Sequence, residues 1–143
     1  MKKIFPLVVF LLALYIGWGQ LDLSNDSAGL TDQSEAVLAS AFKEHKNGIQ
    51  VEGRGVVIKI LPDDNYGSRH QRFILRLNSG QTLVVAHNID LAPKISSLKE
   101  RDVIAFNGEY EWNSKGGVLH WTHRDPKGRH VSGWLKHNGQ IYQ

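Results

Sequence analysis

The order of apolar and polar positions divides the chain into three stretches. Residues 4–18 form a nearly unbroken apolar run behind Met1-Lys2-Lys3, residues 20–30 are polar with no sustained period, and residues 31–46 put Val37, Leu38, Ala41 and Phe42 at helical spacing. Thr31 or Asp32 can cap that helix, Glu35 suits its first turn, Lys43, His45 and Lys46 suit its last, and Asn47-Gly48 ends it. From Ile49 the period becomes two. Strands are expected over 49–61, alternating through Val56, Ile58 and Ile60, and over 70–77, where Phe73, Leu75 and Leu77 share a face opposite His70, Arg72 and Arg76. The turn Asn78-Ser79-Gly80 returns the chain as a hairpin partner over 82–87. The run Leu83-Val84-Val85-Ala86, apolar on both faces, reads as a central strand.

Residues 88–101 break this rhythm, with one helical turn expected near Ser96. Strands resume over 102–112 and 118–123, and a last hairpin over 130–136 and 140–142 flanks Asn138-Gly139. Asp125-Pro126-Lys127-Gly128 has the residues of a type I turn. Three strands, a crossing, two strands and a hairpin fit a mainly β fold. The pattern suggests a small OB-like five-stranded barrel with a C-terminal β-hairpin extension, preceded by one amphipathic helix. The domains expected are a signal peptide or membrane anchor at 1–19, a linker and short helix at 20–48, and the barrel at 49–143.

Charge changes meaning once it is located. The chain carries 17 Lys and Arg against 14 Asp and Glu, a formal +3, but Lys2 and Lys3 lie in the segment read as an export signal, and the remainder is nearly neutral. The expected location is therefore exported, periplasmic or tethered to the inner membrane through residues 1–19. No cysteine is present, which excludes thiol catalysis, cysteine-ligated zinc and a disulfide-linked partner, and leaves the fold to its core alone.

Six of the seven histidines fall at His70, His87, His120, His123, His130 and His137. Residues 115–137 hold five Lys or Arg and a single acid, interleaved with Trp121 and Trp134. Three chemistries suit this composition. Acid/base catalysis would draw on His87, Asp90, His120, His123 and Asp125, with Glu109 as a further carboxylate and Arg124 or Arg129 holding an oxyanion. A divalent metal ion as cofactor would take His87, His123 and Asp125. The pair His120 and His123 is harder to use, because positions three apart on a strand face opposite sides unless the chain bends. Binding to nucleic acid or another anionic polymer would use His70, Arg72, Arg124, Arg129 and His130, with Trp112 and Trp134 as stacking surfaces. Alternation with Leu119 assigns Trp121 to the core.

Four strings occur in order: Ser68-Arg69-His70-Gln71-Arg72-Phe73, Ala86-His87-Asn88-Ile89-Asp90-Leu91-Ala92-Pro93, Gly108-Glu109-Tyr110-Glu111-Trp112-Asn113, and Gly117-Val118-Leu119-His120-Trp121-Thr122-His123-Arg124-Asp125-Pro126. Together they resemble the bacterial domain of unknown function 3465 family. The resemblance implies a short bacterial protein with an export signal and singles out the His-Trp-Thr-His and Asp-Pro residues without giving them a role. Ile89-Asp90-Leu91-Ala92-Pro93 is also similar to a turn of the thermonuclease group of OB-barrel nucleases, although Lys94 stands where that group has a glutamate. The leading expectation is an exported OB-like domain binding an anionic ligand through its His/Arg/Trp-rich face. The alternatives are a metal-assisted phosphodiester hydrolase and a structural envelope protein.

Overall fold

A computed structural model describes residues 25–143; the signal or anchor expected at 1–19 and the start of the linker lie outside the described residues. Helix α1 (Asn25–Lys43) begins earlier than the apolar stripe suggests, because Asn25, Asp26 and Ser27 suit a first turn as well as Thr31 does. It ends earlier too. His45 adopts a left-handed conformation, φ 52°, and the Lys46 amide donates to the Ala41 carbonyl, closing the helix at Lys43, ahead of Asn47. Of the expected stripe, Leu38 and Ala41 are buried whereas Val37 is exposed.

Seven strands follow: β1 (Ile49–Asp64), β2 (His70–Arg76), β3 (Thr82–Asn88), β4 (Val103–Glu111), β5 (Val118–His120), β6 (Trp134–His137) and β7 (Gln140–Tyr142). Their order is β1-β2-β3-β5-β4-β6-β7, and β1 also pairs with β4. The first five strands thus close into a ring in which every contact is antiparallel except β3 with β5. The hairpin β6–β7 continues the sheet from β4. Closing the ring removes the edges that a row of open strands would expose.

The ring interior holds Val51 and Val57 of β1, Phe73 and Leu75 of β2, Leu83 and Val85 of β3, Ile104, Phe106 and Tyr110 of β4 and Leu119 of β5. On β1 the inward set is opposite to the one that Val56, Ile58 and Ile60 suggest. Those three face outward because Gly53 and Gly55 share the inner face with Val51 and Val57. A Cβ at Gly53 would lie 2.9 Å from the ring of Phe106, its partner on the adjacent β4, so that face is partly filled from the neighbouring strand.

Polar side chains anchor the crossing segment between β3 and β4. Gln71 donates to the Ile95 carbonyl and accepts from the Ile95 amide, both at 2.9 Å. Ala92 and Ile95 are buried beneath it. Elsewhere Glu35 of α1 accepts from the amides of Asn78 and Ser79 in the β2–β3 turn.

Candidate functional site

The decisive local feature is a bend at Trp121, whose φ is 56°. A left-handed conformation at a bulky residue is uncommon and has to be held by its surroundings. It ends β5 at His120 and breaks the alternation, so Thr122 and His123 both turn inward and are buried. Trp121, expected in the core, is instead only partly buried. Its ring lies against His130, with centroids 3.9 Å apart and planes 8° from parallel, and His123 approaches at 5.2 Å. Two glycines make room for the bend. A Cβ at Gly108 would stand 2.6 Å from the His120 carbonyl oxygen, and one at Gly133 only 2.0 Å from that of Trp121.

The segment after the bend is organised by Asp125. Its carboxylate accepts the amides of Lys127, Arg129 and His130 at 2.8–2.9 Å, and Gly128 donates to its carbonyl. The Lys127 amide above all, followed by those of Arg129 and His130, holds the Asp125 carboxyl below the usual carboxylate range. Its negative charge is thus largely occupied by backbone donors.

A pocket of about 440 Å³ opens beside this loop, lined by Leu91, Trp121, Asp125, Pro126, Lys127, Arg129 and His130. Among the described residues, Lys127 and Arg129 make no salt bridge, although the charge of Arg129 acts on Asp125, unlike Arg69, which is paired with Asp90 at 2.7 Å, and Lys94, paired with Asp63. His130 Nδ1 donates to the Val131 carbonyl at 2.8 Å and Nε2 faces the Glu109 carboxylate. With an acceptor at each nitrogen, the ring is suited to carry two protons. Burial acts to lower its pKa, but the Val131 carbonyl, Glu109 and Asp125 outweigh it and hold the pKa above the ordinary histidine value.

His87 is fully buried inside the ring. Its Nε2 donates to the Pro93 carbonyl at 3.0 Å, which makes Nδ1 the acceptor for the Thr122 hydroxyl at 2.7 Å. Neither nitrogen is left for a ligand. Burial drives its pKa down to about 4 against the pull of Pro93.

The remaining expected site residues are dispersed. Asp90 clamps Arg69 through the latter's amide and side chain. His123 Nδ1 is held by the Arg124 carbonyl at 2.7 Å, and the Arg124 side chain is exposed. His70 bonds the Ser68 carbonyl and Arg72 the Pro62 carbonyl, outside the pocket. Trp112 joins α1 to the ring: its Nε1 donates to the Phe42 carbonyl and it stacks on His45 at 3.9 Å. Trp134 sits on β6 opposite Asn107. The expected metal set of His87, His123 and Asp125 does not converge. The trio that does, among the described residues, is Glu109, Glu111 and His120, whose ligand atoms all lie within 4.8 Å of one another. Glu111 was not anticipated, although two acids two apart on a strand, facing a histidine on the next, are visible in the sequence.

The fold and site define a mainly β protein with a five-strand ring and a cation-lined pocket at the end of the fifth strand. The chain matches the family model described as Protein of unknown function (DUF3465) over residues 21–143 and belongs to that family. No curated protein matches it.

Proposed function

We propose that the chain is an exported or membrane-tethered OB-like barrel domain that binds a phosphate-bearing anionic ligand, nucleic acid or an envelope polymer, in the pocket formed by residues 121–130. The ring closed by β1 and β4, with its C-terminal hairpin, supports the barrel reading. The observation that carries the ligand reading is the pair of cations outside any salt bridge, Lys127 and Arg129, beside the Trp121–His130 stack. The acid nearest to them, Asp125, is occupied by three backbone amides. A site of this size holds a single nucleotide-sized or phosphate-bearing group.

Titration of a short single-stranded DNA and of a base-free polyphosphate, followed by tryptophan fluorescence, tests this. Binding should weaken with salt at a logarithmic slope of about −2 for three phosphate contacts, and Arg129→Ala should reduce the slope by about 0.7. Binding of polyphosphate alone would identify an envelope-type polymer. Failure of both probes to bind would leave the structural reading standing.

A further inference from the structure

We propose a divalent transition-metal site on the outer surface of the ring, formed by Glu109, Glu111 and His120. This site shares no ligand with the lining of the anion pocket and differs from the metal set expected from the sequence. Glu109 and Glu111 occupy alternate positions of β4 and therefore share a face, and the β4–β5 register sets His120 directly opposite Glu109. Ligand atoms from all three lie within 4.8 Å of one another. For ligands about 2.1 Å from a zinc ion in tetrahedral geometry the separations are roughly 3.4 Å, so the trio needs to close by about an ångström.

A second observation points to the same place. His120 Nε2 is sealed from solvent and has no hydrogen-bond partner, the one such side-chain atom among the described residues. The Glu111 carboxylate is 3.6 Å away, too far for a hydrogen bond. A buried nitrogen with nothing to bond is a cost that native structures rarely carry. A metal ion between it and the two carboxylates would take up its lone pair and compensate the charge of Glu111, which no lysine or arginine pairs among the described residues, beside a Glu109 that already faces His130.

The surroundings are those of a ligand set. His130 Nε2 engages one oxygen of Glu109 and leaves the other for an ion, the way outer groups orient metal-bound carboxylates. One imidazole and two carboxylates suit Zn2+ or Mn2+ better than the all-oxygen shells of Ca2+ and Mg2+. Three protein ligands leave a coordination position open to water or an anion. Through His130, which also lines the pocket, that position is linked to the anion site.

The test is calorimetric titration of Zn2+, and separately Mn2+, into the full-length chain, purified without a histidine tag and stripped with chelator. One ion should bind per chain. Glu111→Gln and His120→Asn should each weaken binding at least tenfold while leaving the melting temperature in chelator nearly unchanged, since both side chains are about one-third exposed and neither belongs to the ring interior. His70→Asn, outside the trio, should bind as the parent chain does. Co2+ should give visible absorption in the parent chain and lose it in Glu111→Gln. Absence of one-to-one uptake, or parental affinity in both trio variants, overturns the proposal. Arg129→Ala should keep its metal affinity, so failure of the anion pocket and failure of the metal site are read separately.

Discussion

Trp121 and His130 lie face to face across the end of β5, 3.9 Å between ring centroids and 8° from parallel, and this contact positions the loop that carries Lys127 and Arg129. The stack depends on the left-handed conformation of Trp121, which rotates its ring out of the core and against the returning chain. A protonated His130 on an indole face adds a cation–π attraction of about 0.5–2 kcal/mol.

Trp121→Asn separates the ring from the backbone, because asparagine accepts a positive φ. Urea denaturation should show a loss of about 1–2 kcal/mol. A fully buried tryptophan would cost roughly 3–5 kcal/mol, and a loss of that size would restore the core assignment.

Replacing Asp125 opposes two arguments. Charge alone says that removing an acid from the pocket should tighten anion binding. The geometry says the reverse, because Asp125 holds the amides of Lys127, Arg129 and His130 in place. Asp125→Ala should therefore weaken oligonucleotide binding and speed hydrogen exchange at those three amides. Tighter binding with unchanged exchange would show the loop to be ordered by something else.

His87 gives the fold a pH dependence of definite sign. Its pKa falls from the ordinary histidine value of about 6.5 to about 4 on folding, so between these values the unfolded chain binds more protons. The contribution of neutral His87 is complete above pH 6.5 and is lost as pH falls toward 4, amounting to about 3 kcal/mol. Denaturant midpoints at pH 7.5, 5.5 and 4 should record the decline, and His87→Gln should flatten it. A His87 resonance that titrates near pH 6.5 by NMR would contradict the buried assignment.

Thr122→Val keeps the shape of the side chain and removes the hydroxyl donated to His87 Nδ1. The buried nitrogen then lacks a partner, and stability should fall by about 1–3 kcal/mol at neutral pH. Thermal unfolding in parallel with the parent chain measures it.

Two glycines of the same region should respond differently. At Gly133 a Cβ would lie 2.0 Å from the Trp121 carbonyl oxygen and 2.5 Å from that of Asn107, backbone atoms fixed by the ring. Gly133→Ala should cost more than about 3 kcal/mol or displace the β6–β7 hairpin. Gly128 has open space around it and only a positive φ to maintain, so Gly128→Ala should cost about 1 kcal/mol. Equal melting temperatures for the two variants would remove the close-approach argument.

Alternation along β2 was legible residue by residue, because that strand has one face in the ring and one outside, and Phe73 and Leu75 are buried as their spacing requires. The apolar run of β3 did not tell its faces apart, and the ring takes Leu83 and Val85. The Asp125 turn was legible from its Asp-Pro-Lys-Gly chemistry, and the hairpin from Asn138-Gly139. The inner face of β1 was hidden, because its glycines are filled by Phe106 and Leu75 from neighbouring strands, which no local pattern records.

The site divides along the same line. Composition and turn chemistry marked the basic, histidine-rich end and put Asp125, Arg129 and His130 among its candidates. Tertiary structure decided which side chains meet there. A single positive φ at Trp121 breaks a period of two, sends Thr122 inward to His87 and brings Trp121 out to His130. Strand register then places His120 opposite Glu109. Periodicity describes a strand only while the strand continues. Where the chain bends, the partners are chosen by the close approach of Gly108 and Gly133 to the backbone of His120 and Trp121, a contact between segments that sequence spacing does not encode.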